Sequence, residues 1–459
     1  MLTAGVRIGA VAAVAVVTGA LMPVAAAHAA PASRAYSGTL ADGAAWVADV
    51  PATWNGTLIL YSHGYGPLTA KDAPDPATRQ ELLAEGYALV GSSYSGPSWW
   101  ALKTAVDDQF GSLRAIEKIT GRARRAIAWG TSMGGLVSAL ESQDPRGRID
   151  GTLTTCGLVA GALNLNDYQL DAEYAVARLL SARPIKLVDY RSDAEAIVAV
   201  DALNEATTEG QQTAAGRARI ALAAALANVP TWFSGPAAPD RNDYATQEQQ
   251  QEQTLVGPGW ARYAGARPQI ELAAGGNSSA TAGVNFAAVL ASSTHAGEVR
   301  ALYRAAGLDL RADLANLTRH ADIRADPKAV ATLARTSTPS GHLGVPELNI
   351  HTIHDQLVPV EQENWYGRQV ARAGSASLLR QAYVDGTGHC AFQPAETIAA
   401  LHAVEHRIDT GRWDQVTRPA ALNAAAASLH LPGSGTPRYA SFRAPRLAGG
   451  LGEPGRPLF

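Results

Sequence analysis

The sequence predicts an α/β fold with a mostly parallel central sheet covered by helices on both faces. Between residues 57 and 155, short apolar runs alternate with helical segments. Strands of a parallel sheet are buried on both faces, so they read as continuous apolar runs. The chain has 459 residues, 47% hydrophobic and 17% charged. This composition suits a large domain with an insertion and excludes global disorder.

Each element of this alternation has a local signal. The first two strands flank a short Ala-Asp-Gly turn and predict an edge hairpin, while the helices have apolar residues spaced three and four apart. The predicted strands are 36–40, 45–50, 57–61, 87–92, 125–129 and 149–155. The predicted helices are 75–85, 102–119 and one that begins near Met133.

The alternation stops after residue 156, and the chain is mainly helical and alanine-rich up to residue 344. Strand character returns at 347–351 and 378–384, followed by a helix at 394–407. The sequence therefore predicts a signal peptide and three structural regions. These are a signal peptide at 1–29, an α/β core at 30–156 and 345–412, a helical cap insertion at 157–344 and an irregular C-terminal tail at 413–459.

The N-terminus has the pattern of a secretory signal. Arg7 precedes an apolar stretch at 8–17, and an A-x-A cleavage pattern at 27–29 predicts a mature chain that starts at Ala30. An uncleaved membrane anchor is the alternative. We expect secretion without stable membrane insertion after cleavage. The formal net charge of −3 and the lack of a basic run predict no nucleic-acid partner.

One short motif carries the chemistry. The run Gly-Thr-Ser-Met-Gly at 130–134 is the chain's one match to G-x-S-x-G. With 44 glycines in the chain, chance alone gives on the order of a quarter of such a match. The context is more specific, because the motif follows an apolar strand and precedes a helix, as a nucleophile elbow does. Ser132 is therefore the candidate nucleophile.

With this motif the chain resembles the α/β-hydrolase family, whose catalytic residues follow in the order serine, acid, histidine. The segment 350–359 looks like the family's acid segment, with Asp355 as the acid. The segment 383–389 looks like the loop after the last strand, with His389 as the base. The resemblance covers about residues 36–156 and 345–410, and it implies the fold and the reaction class without naming a substrate.

The resemblance also assigns roles. His389 accepts the proton of the attacking serine, and Asp355 holds the imidazole tautomer and stabilises the imidazolium. The family supplies one oxyanion donor from the residue after the serine, here the Met133 N–H. A second comes from the loop after an early strand, which the run at 63–66 resembles, with the Tyr65 N–H as the donor.

Other polar residues compete for these roles. Asp385 lies in the same loop as the histidine and is interpreted as a turn residue. His351 and His354 flank the acid and are interpreted as structural, while His63 either points into the site or orients the oxyanion loop. No H-E-x-x-H or similar spacing is present, so we expect neither a metal nor a cofactor.

The chain has two cysteines, Cys156 and Cys390. Both are expected at the carboxyl edge of the sheet, and Cys390 is adjacent to His389. An exported protein meets an oxidising environment, so a disulfide that fixes the histidine loop is predicted. Two free buried thiols are the alternative.

The cap insertion is expected to enclose the site, exclude water and set specificity. Trp99 and Trp100 follow a loop at the same sheet edge, where they either form an apolar wall for the substrate or pack in the core. Further aromatic residues are candidates for the pocket or for plain cap core: Trp232, Phe233, Trp260, Tyr263 and Phe286.

The sequence predicts a secreted serine hydrolase that cleaves carboxylic esters of small or medium size through an acyl-enzyme intermediate. The alternative within the fold is an aminopeptidase-like exopeptidase acting on peptides, with Glu173, Asp167 and Asp171 to hold the substrate ammonium. An acyltransferase is a third hypothesis, and a non-catalytic binding module is a fourth, which an intact triad opposes.

Overall fold

A computed structural model describes residues 32–146 and 148–457, so the predicted signal peptide lies outside the described residues. Within these described residues, nine strands form one sheet in the order β1-β2-β4-β3-β5-β6-β7-β8-β9. The strands are β1 Ser33–Thr39, β2 Ala45–Pro51, β3 Thr57–Ser62, β4 Ala88–Ser92, β5 Arg125–Thr131, β6 Gly151–Thr155, β7 Glu347–His354, β8 Leu379–Thr387 and β9 Tyr439–Ala440.

The central part of this sheet is parallel. β4, β3, β5, β6, β7 and β8 pair in parallel, and the remaining pairs, β1 with β2, β2 with β4 and β8 with β9, are antiparallel. All residues of β3, β4 and β6 are buried. The predicted α/β class with a mostly parallel sheet is confirmed.

Helices cover both faces of the sheet and fill the insertion. Their bounds are α1 Pro76–Ala84, α2 Leu102–Thr120, α3 Met133–Glu141, α4 Gly161–Leu179, α5 Asp193–Gly210, α6 Ala214–Leu226, α7 Tyr244–Thr254, α8 Trp260–Arg262, α9 Arg267–Ala274, α10 Phe286–Ser292, α11 Ala296–Ala305, α12 Leu310–His320, α13 Pro327–Thr336, α14 Glu361–Arg372, α15 Pro394–Thr410 and α16 Pro419–Ser428. One π-helical turn, Leu255–Gly259, joins α7 to α8.

The alternation of side chains along β3 builds two separate cores. Leu58 and Leu60 join the cluster that contains Ile116 of α2. Ile59 faces the opposite way and joins the cluster that contains Ile398 of α15. Because successive side chains of a strand point to opposite faces, one apolar run packs against helices on both sides of the sheet.

Helices α4 to α13 lie between β6 and β7, within the segment 157–344. α4 is buried at every position from Gly161 to Val176, and α6 packs against it with a run of buried alanines at 223–225. Small side chains let these two helices approach closely, so they form the centre of a second, mainly helical core. Within the described residues, no helix is long and apolar enough to cross a membrane.

The tail at 413–459 is not irregular throughout, and this part of the prediction is wrong. It contains α16, which begins at Pro419 and continues through an alanine run, and β9, which pairs with β8. Proline at the first helical position and a run of alanine both favour a helix. The strand depends on its distant partner in β8, which local sequence does not indicate.

Candidate active site

The site begins at a sharp turn between β5 and α3. Ser132 occupies this turn with φ +60° and ψ −123°, a conformation that few residues other than glycine adopt. A Cβ on Gly130 would collide with the carbonyl oxygen of Gly134, and one on Gly134 would collide with that of Ser62. Glycine is therefore required on both sides of the serine, which places its hydroxyl at the carboxyl edge of the sheet.

Ser132, His389 and Asp355 form a continuous chain of hydrogen bonds. The Ser132 Oγ lies 2.8 Å from His389 Nε2, and His389 Nδ1 lies 2.8 Å from Asp355 Oδ2. An ionised carboxylate only accepts, so Nδ1 carries the proton and Nε2 is free to accept the serine proton. The structure thus brings together the three residues that the sequence singles out.

Backbone and side-chain groups hold the acid in place. Asp355 is buried, and its Oδ1 accepts the N–H groups of Leu357 and Val358, each at 2.9 Å. His351 lies behind it, with Nε2 3.7 Å from Asp355 Oδ2, while its Nδ1 is 3.1 Å from Glu363 Oε1. Burial lowers the pKa of His351, but the bond to Glu363 and the nearby carboxylates outweigh this and raise it. A cationic ring there would further stabilise the carboxylate.

The other polar residues near the motifs lie outside the hydrogen-bond chain. Asp385 is exposed on β8, and its backbone N–H donates to the Arg438 carbonyl. His63 is buried, stacks on Tyr94 and places Nδ1 2.8 Å from the Gly64 carbonyl oxygen. Burial lowers the pKa of His63 and that of His354. His63 therefore holds the loop at 63–66 and makes no hydrogen bond to Ser132.

Two backbone N–H groups suit an oxyanion site. Met133 is the first residue of α3, where N–H groups have no partner within the helix. The loop at 63–66 passes directly over the turn, since a Cβ on Gly64 would lie 3.1 Å from the Ser132 Cβ and 3.5 Å from its Oγ. Tyr65 follows in this loop and lines the cavity at Ser132. Both predicted donors therefore belong to segments that adjoin Ser132.

The sheet order, the turn after β5 and the order of the three residues along the chain occur together in one known architecture. The chain has the α/β-hydrolase fold. In this fold the nucleophile lies between a parallel strand and its helix, and the acid and histidine follow later strands. Here the predicted acid, Asp355, follows β7, and the predicted base, His389, follows β8.

A cavity of about 130 Å³ opens at Ser132 of this α/β-hydrolase fold. An apolar cavity of roughly 150 Å³ holds one benzene molecule, so this one has room for about one aromatic ring. Trp100 lines it, but Trp99 does not: it is 43% exposed and packs edge-on against Tyr65. The apolar side chains of the wall are Leu158, Leu165, Ala266, Ile270, Leu357 and Val358.

The insertion's aromatic candidates do not line this cavity, and its acidic candidates are already paired. The Arg267 guanidinium donates to both carboxylate oxygens of Glu173 at 3.0 Å. Arg456 binds Asp171 and lies 3.4 Å from Asp167. Burial raises the pKa of Glu173 and of Asp171 to about 7 against the opposing effect of these arginines. The three carboxylates are thus structural ion pairs away from the cavity.

Cys156 and Cys390 form a disulfide with their Cα atoms 5.3 Å apart. Cys156 follows β6 directly, and the Cys390 Sγ lies 3.4 Å from His389 Nε2. Among the described residues, these two cysteines and His389 are the one group close enough to share a metal ion. Both sulfur atoms are in the disulfide, so the group offers no thiolate ligand.

Comparisons with known proteins give a relative in sequence and several solved structures. No family model matches the chain. The chain is 28% identical to an o-phthalyl amidase from Xanthobacter agilis over 422 residues. The matched region covers 85% of this chain and 90% of the relative. Solved structures with a similar fold include the rice cell wall degrading esterase LipA from Xanthomonas oryzae, with 13% identity, TM-score 0.36 and 82% and 87% of the two chains covered. Another is feruloyl esterase B from Aspergillus oryzae, with 14% identity, TM-score 0.38 and 82% and 80% covered.

Sequence reasoning missed most of the cavity wall. Leu357 and Val358 lie two and three residues after Asp355, and Leu158 lies two residues after Cys156, so proximity to these motifs was an available signal. Arg262 and Gln169 had no such signal. Both lie in the insertion, and both line the cavity with polar groups.

Proposed function

We propose that this chain is a serine hydrolase that cleaves carboxylic ester and amide bonds of small acyl compounds. The observation that carries the proposal is the hydrogen-bond chain from Ser132 through His389 to Asp355, which opens into a cavity with room for about one ring. A serine hydroxyl is a weak nucleophile until an adjacent base accepts its proton, and this arrangement supplies that base.

The reaction has two half-steps. The Ser132 Oγ bonds to the substrate carbonyl carbon while its proton moves to His389 Nε2. The resulting oxyanion accepts hydrogen bonds from the N–H groups of Met133 and Tyr65. The bond to the leaving group then breaks, and His389 protonates the departing alcohol or amine. In the second half-step, water attacks the carbonyl carbon of the acyl-enzyme and gives its proton to His389. The bond to Ser132 Oγ then breaks, His389 returns the proton to Ser132, and the carboxylic acid leaves. Asp355 remains ionised throughout and stabilises the imidazolium.

The ester reaction follows from the motif and the resemblance, while a specific observation favours amides as a second substrate. The relative from Xanthobacter agilis is an o-phthalyl amidase and matches 85% of this chain. A phthalyl group is an acyl group built on one aromatic ring, which is the size that the cavity admits. We therefore propose aromatic acyl esters and amides as the substrate class.

The remaining hypotheses receive less support. An aminopeptidase needs a free carboxylate near the site for the substrate ammonium, and Glu173, Asp167 and Asp171 are paired with arginines instead. The cavity presents the cation Arg262 in their place. An acyltransferase differs from a hydrolase only in the acceptor, so an acceptor alcohol belongs in the assay.

Labelling and turnover with matched variants test the proposal. A fluorophosphonate probe should label the wild type and a Ser428→Ala control, which removes an exposed hydroxyl on α16, and should not label Ser132→Ala. The wild type should hydrolyse 4-nitrophenyl benzoate and the 4-nitroanilide of benzoic acid, and benzoic acid should remain the main product when methanol is added at a low concentration. Labelling that survives Ser132→Ala would refute the assignment. Faster turnover of aminoacyl anilides would favour the peptidase.

We also propose that the protein is secreted after cleavage of its signal peptide. The N-terminal pattern supports this, and so does the disulfide, because such bonds persist mainly in oxidising compartments. N-terminal sequencing of the protein from the culture medium should begin at Ala30. A cell-bound protein that retains Met1 would contradict secretion.

A further inference from the structure

The cavity at Ser132 contains one cation that the catalytic chemistry does not use. Arg262 ends α8, is exposed, and lines the cavity together with Ser132 and His389. Its positive charge acts on Tyr65 across the cavity, where it opposes the burial that raises the pKa of that phenol to about 12. Across the described part of the chain, no carboxylate forms an ion pair with Arg262.

A second polar group faces the same space. Gln169 of α4 is 4% exposed and lines the cavity. None of the described residues forms a hydrogen bond with its carboxamide. A carboxamide that faces a cavity in this way has two N–H donors and one acceptor oxygen to offer, so it is suited to a ligand that bonds to them.

We propose that Arg262 and Gln169 form a subsite for a carboxylate on the acyl part of the substrate. The inference rests on the proposed function and adds the charge of the substrate to it. A guanidinium and an amide N–H₂ both donate to carboxylate oxygens, and the planar guanidinium matches a carboxylate in particular. One cation and one neutral donor balance a single negative charge, which favours a carboxylate over a doubly charged phosphate.

The neighbouring wall selects the position of this carboxylate. Apart from Arg262, Gln169 and the groups around Ser132, the wall is apolar, and the cavity as a whole has room for about one ring. The acyl ring therefore packs against the apolar side chains, and its carboxylate reaches the two polar groups. Among the residues that the structure describes, no carboxylate side chain lines the cavity to repel the anion. Asp193 of the insertion acts on the Tyr65 phenol but lies outside the lining, where it accepts hydrogen bonds from the Gln269 amide.

The test compares anionic and neutral substrates that share one leaving group. The substrates are the 4-nitroanilides of benzoic acid and of its 2-, 3- and 4-carboxy derivatives. A further amide carries the carboxylate on the amine instead. The variants are Arg262→Gln, Arg262→Lys and Gln169→Leu, with Arg300→Gln as the control, since Arg300 is exposed on α11 and outside the cavity.

For the wild type we expect a preference for one of the carboxybenzoyl substrates over the benzoyl substrate. Arg262→Gln should lower kcat/KM for that anion about 10-fold, the low end for a charged hydrogen bond because the guanidinium is exposed, and should change the neutral substrate less than about 2-fold. Arg262→Lys should retain part of the preference, Gln169→Leu should lose about 3-fold, and Arg300→Gln should match the wild type. Added NaCl should reduce the preference in the wild type and leave Arg262→Gln unaffected.

Failure of this proposal is distinguishable from failure of the proposed function. If Arg262→Gln lowers anionic and neutral turnover equally, or if only the amide with an anionic amine depends on Arg262, the acyl subsite is refuted while the hydrolase remains. If the wild type cleaves none of these amides and no 4-nitrophenyl ester, and Ser132 is not labelled by the fluorophosphonate, both proposals fail together.

Discussion

Removing the Cys156–Cys390 disulfide tests how the histidine loop is held. The bond joins residues separated by 234 positions, from the end of β6 to the residue after His389. In the chain-entropy model, closing a loop of this length removes about 5 kcal/mol of unfolded-state conformational entropy at 25 °C. Unfolding entropy is about 2.1 cal/mol/K per residue, so the double variant Cys156→Ser, Cys390→Ser should melt roughly 5 °C below the wild type.

The two effects of this change are separable. The hydrogen bonds of His389 to Ser132 and Asp355 remain, so activity at 25 °C should fall less than about 10-fold, while heat inactivation should begin at a lower temperature. Thermal melts by circular dichroism and residual esterase activity measure both. Phosphine reductant should lower the wild-type melting temperature and leave the double variant unchanged. A variant that melts within about 1 °C of the wild type would refute the loop-closure argument.

Two further perturbations test the acid and a buried carboxyl. Asp355→Asn should lower kcat on the order of 10⁴-fold, because the amide favours the wrong imidazole tautomer, with unchanged melting as the control for folding. Burial raises the pKa of Glu347 to about 8, against 4.5 for the ordinary group, while hydroxyls of Ser142 and Tyr366 bond to it. Between pH 4.5 and about 8 the folded chain therefore holds a proton on Glu347 that the unfolded chain has released. The stability that Glu347 contributes is fully present below pH 4.5 and is lost as the pH rises through about 8. Glu347→Gln should be stabilised relative to the wild type at pH 8 but not at pH 4.5, and an equal difference at both would contradict the protonated state.

Local sequence determines the part of the fold that carries the catalytic chain. The predicted strand at 57–61 corresponds to β3 Thr57–Ser62, and the predicted strand at 125–129 corresponds to β5 Arg125–Thr131. These strands are short apolar runs bounded by small residues, so the sequence indicates both the strands and the positions where they end. The nucleophile turn is visible for the same reason, because steric collisions leave only glycine at two of its positions.

The cavity wall depends on packing that local patterns do not encode. Trp99 and Trp100 are adjacent in sequence, yet only Trp100 lines the cavity, and the loop that precedes them gives no sign of which one turns inward. Gln169 lies on a helix that is buried on all sides, so its pattern does not distinguish a face that meets another helix from one that meets a cavity. The residues of the cavity wall can therefore be identified only from the tertiary structure.

The arginines of the insertion and the tail show how partners decide roles. Arg262, Arg267 and Arg456 are alike in sequence, but Arg267 and Arg456 are buried and bound to Glu173 and Asp171, whereas Arg262 is exposed at the cavity. Removing a buried partner leaves an unpaired buried charge, which costs about 3–5 kcal/mol of stability. Removing an exposed, unpaired guanidinium costs little stability. Replacing an arginine is therefore expected to reduce stability at Arg267 and Arg456 but to change substrate choice at Arg262. Selectivity that depends on Arg262 can change while the fold remains intact.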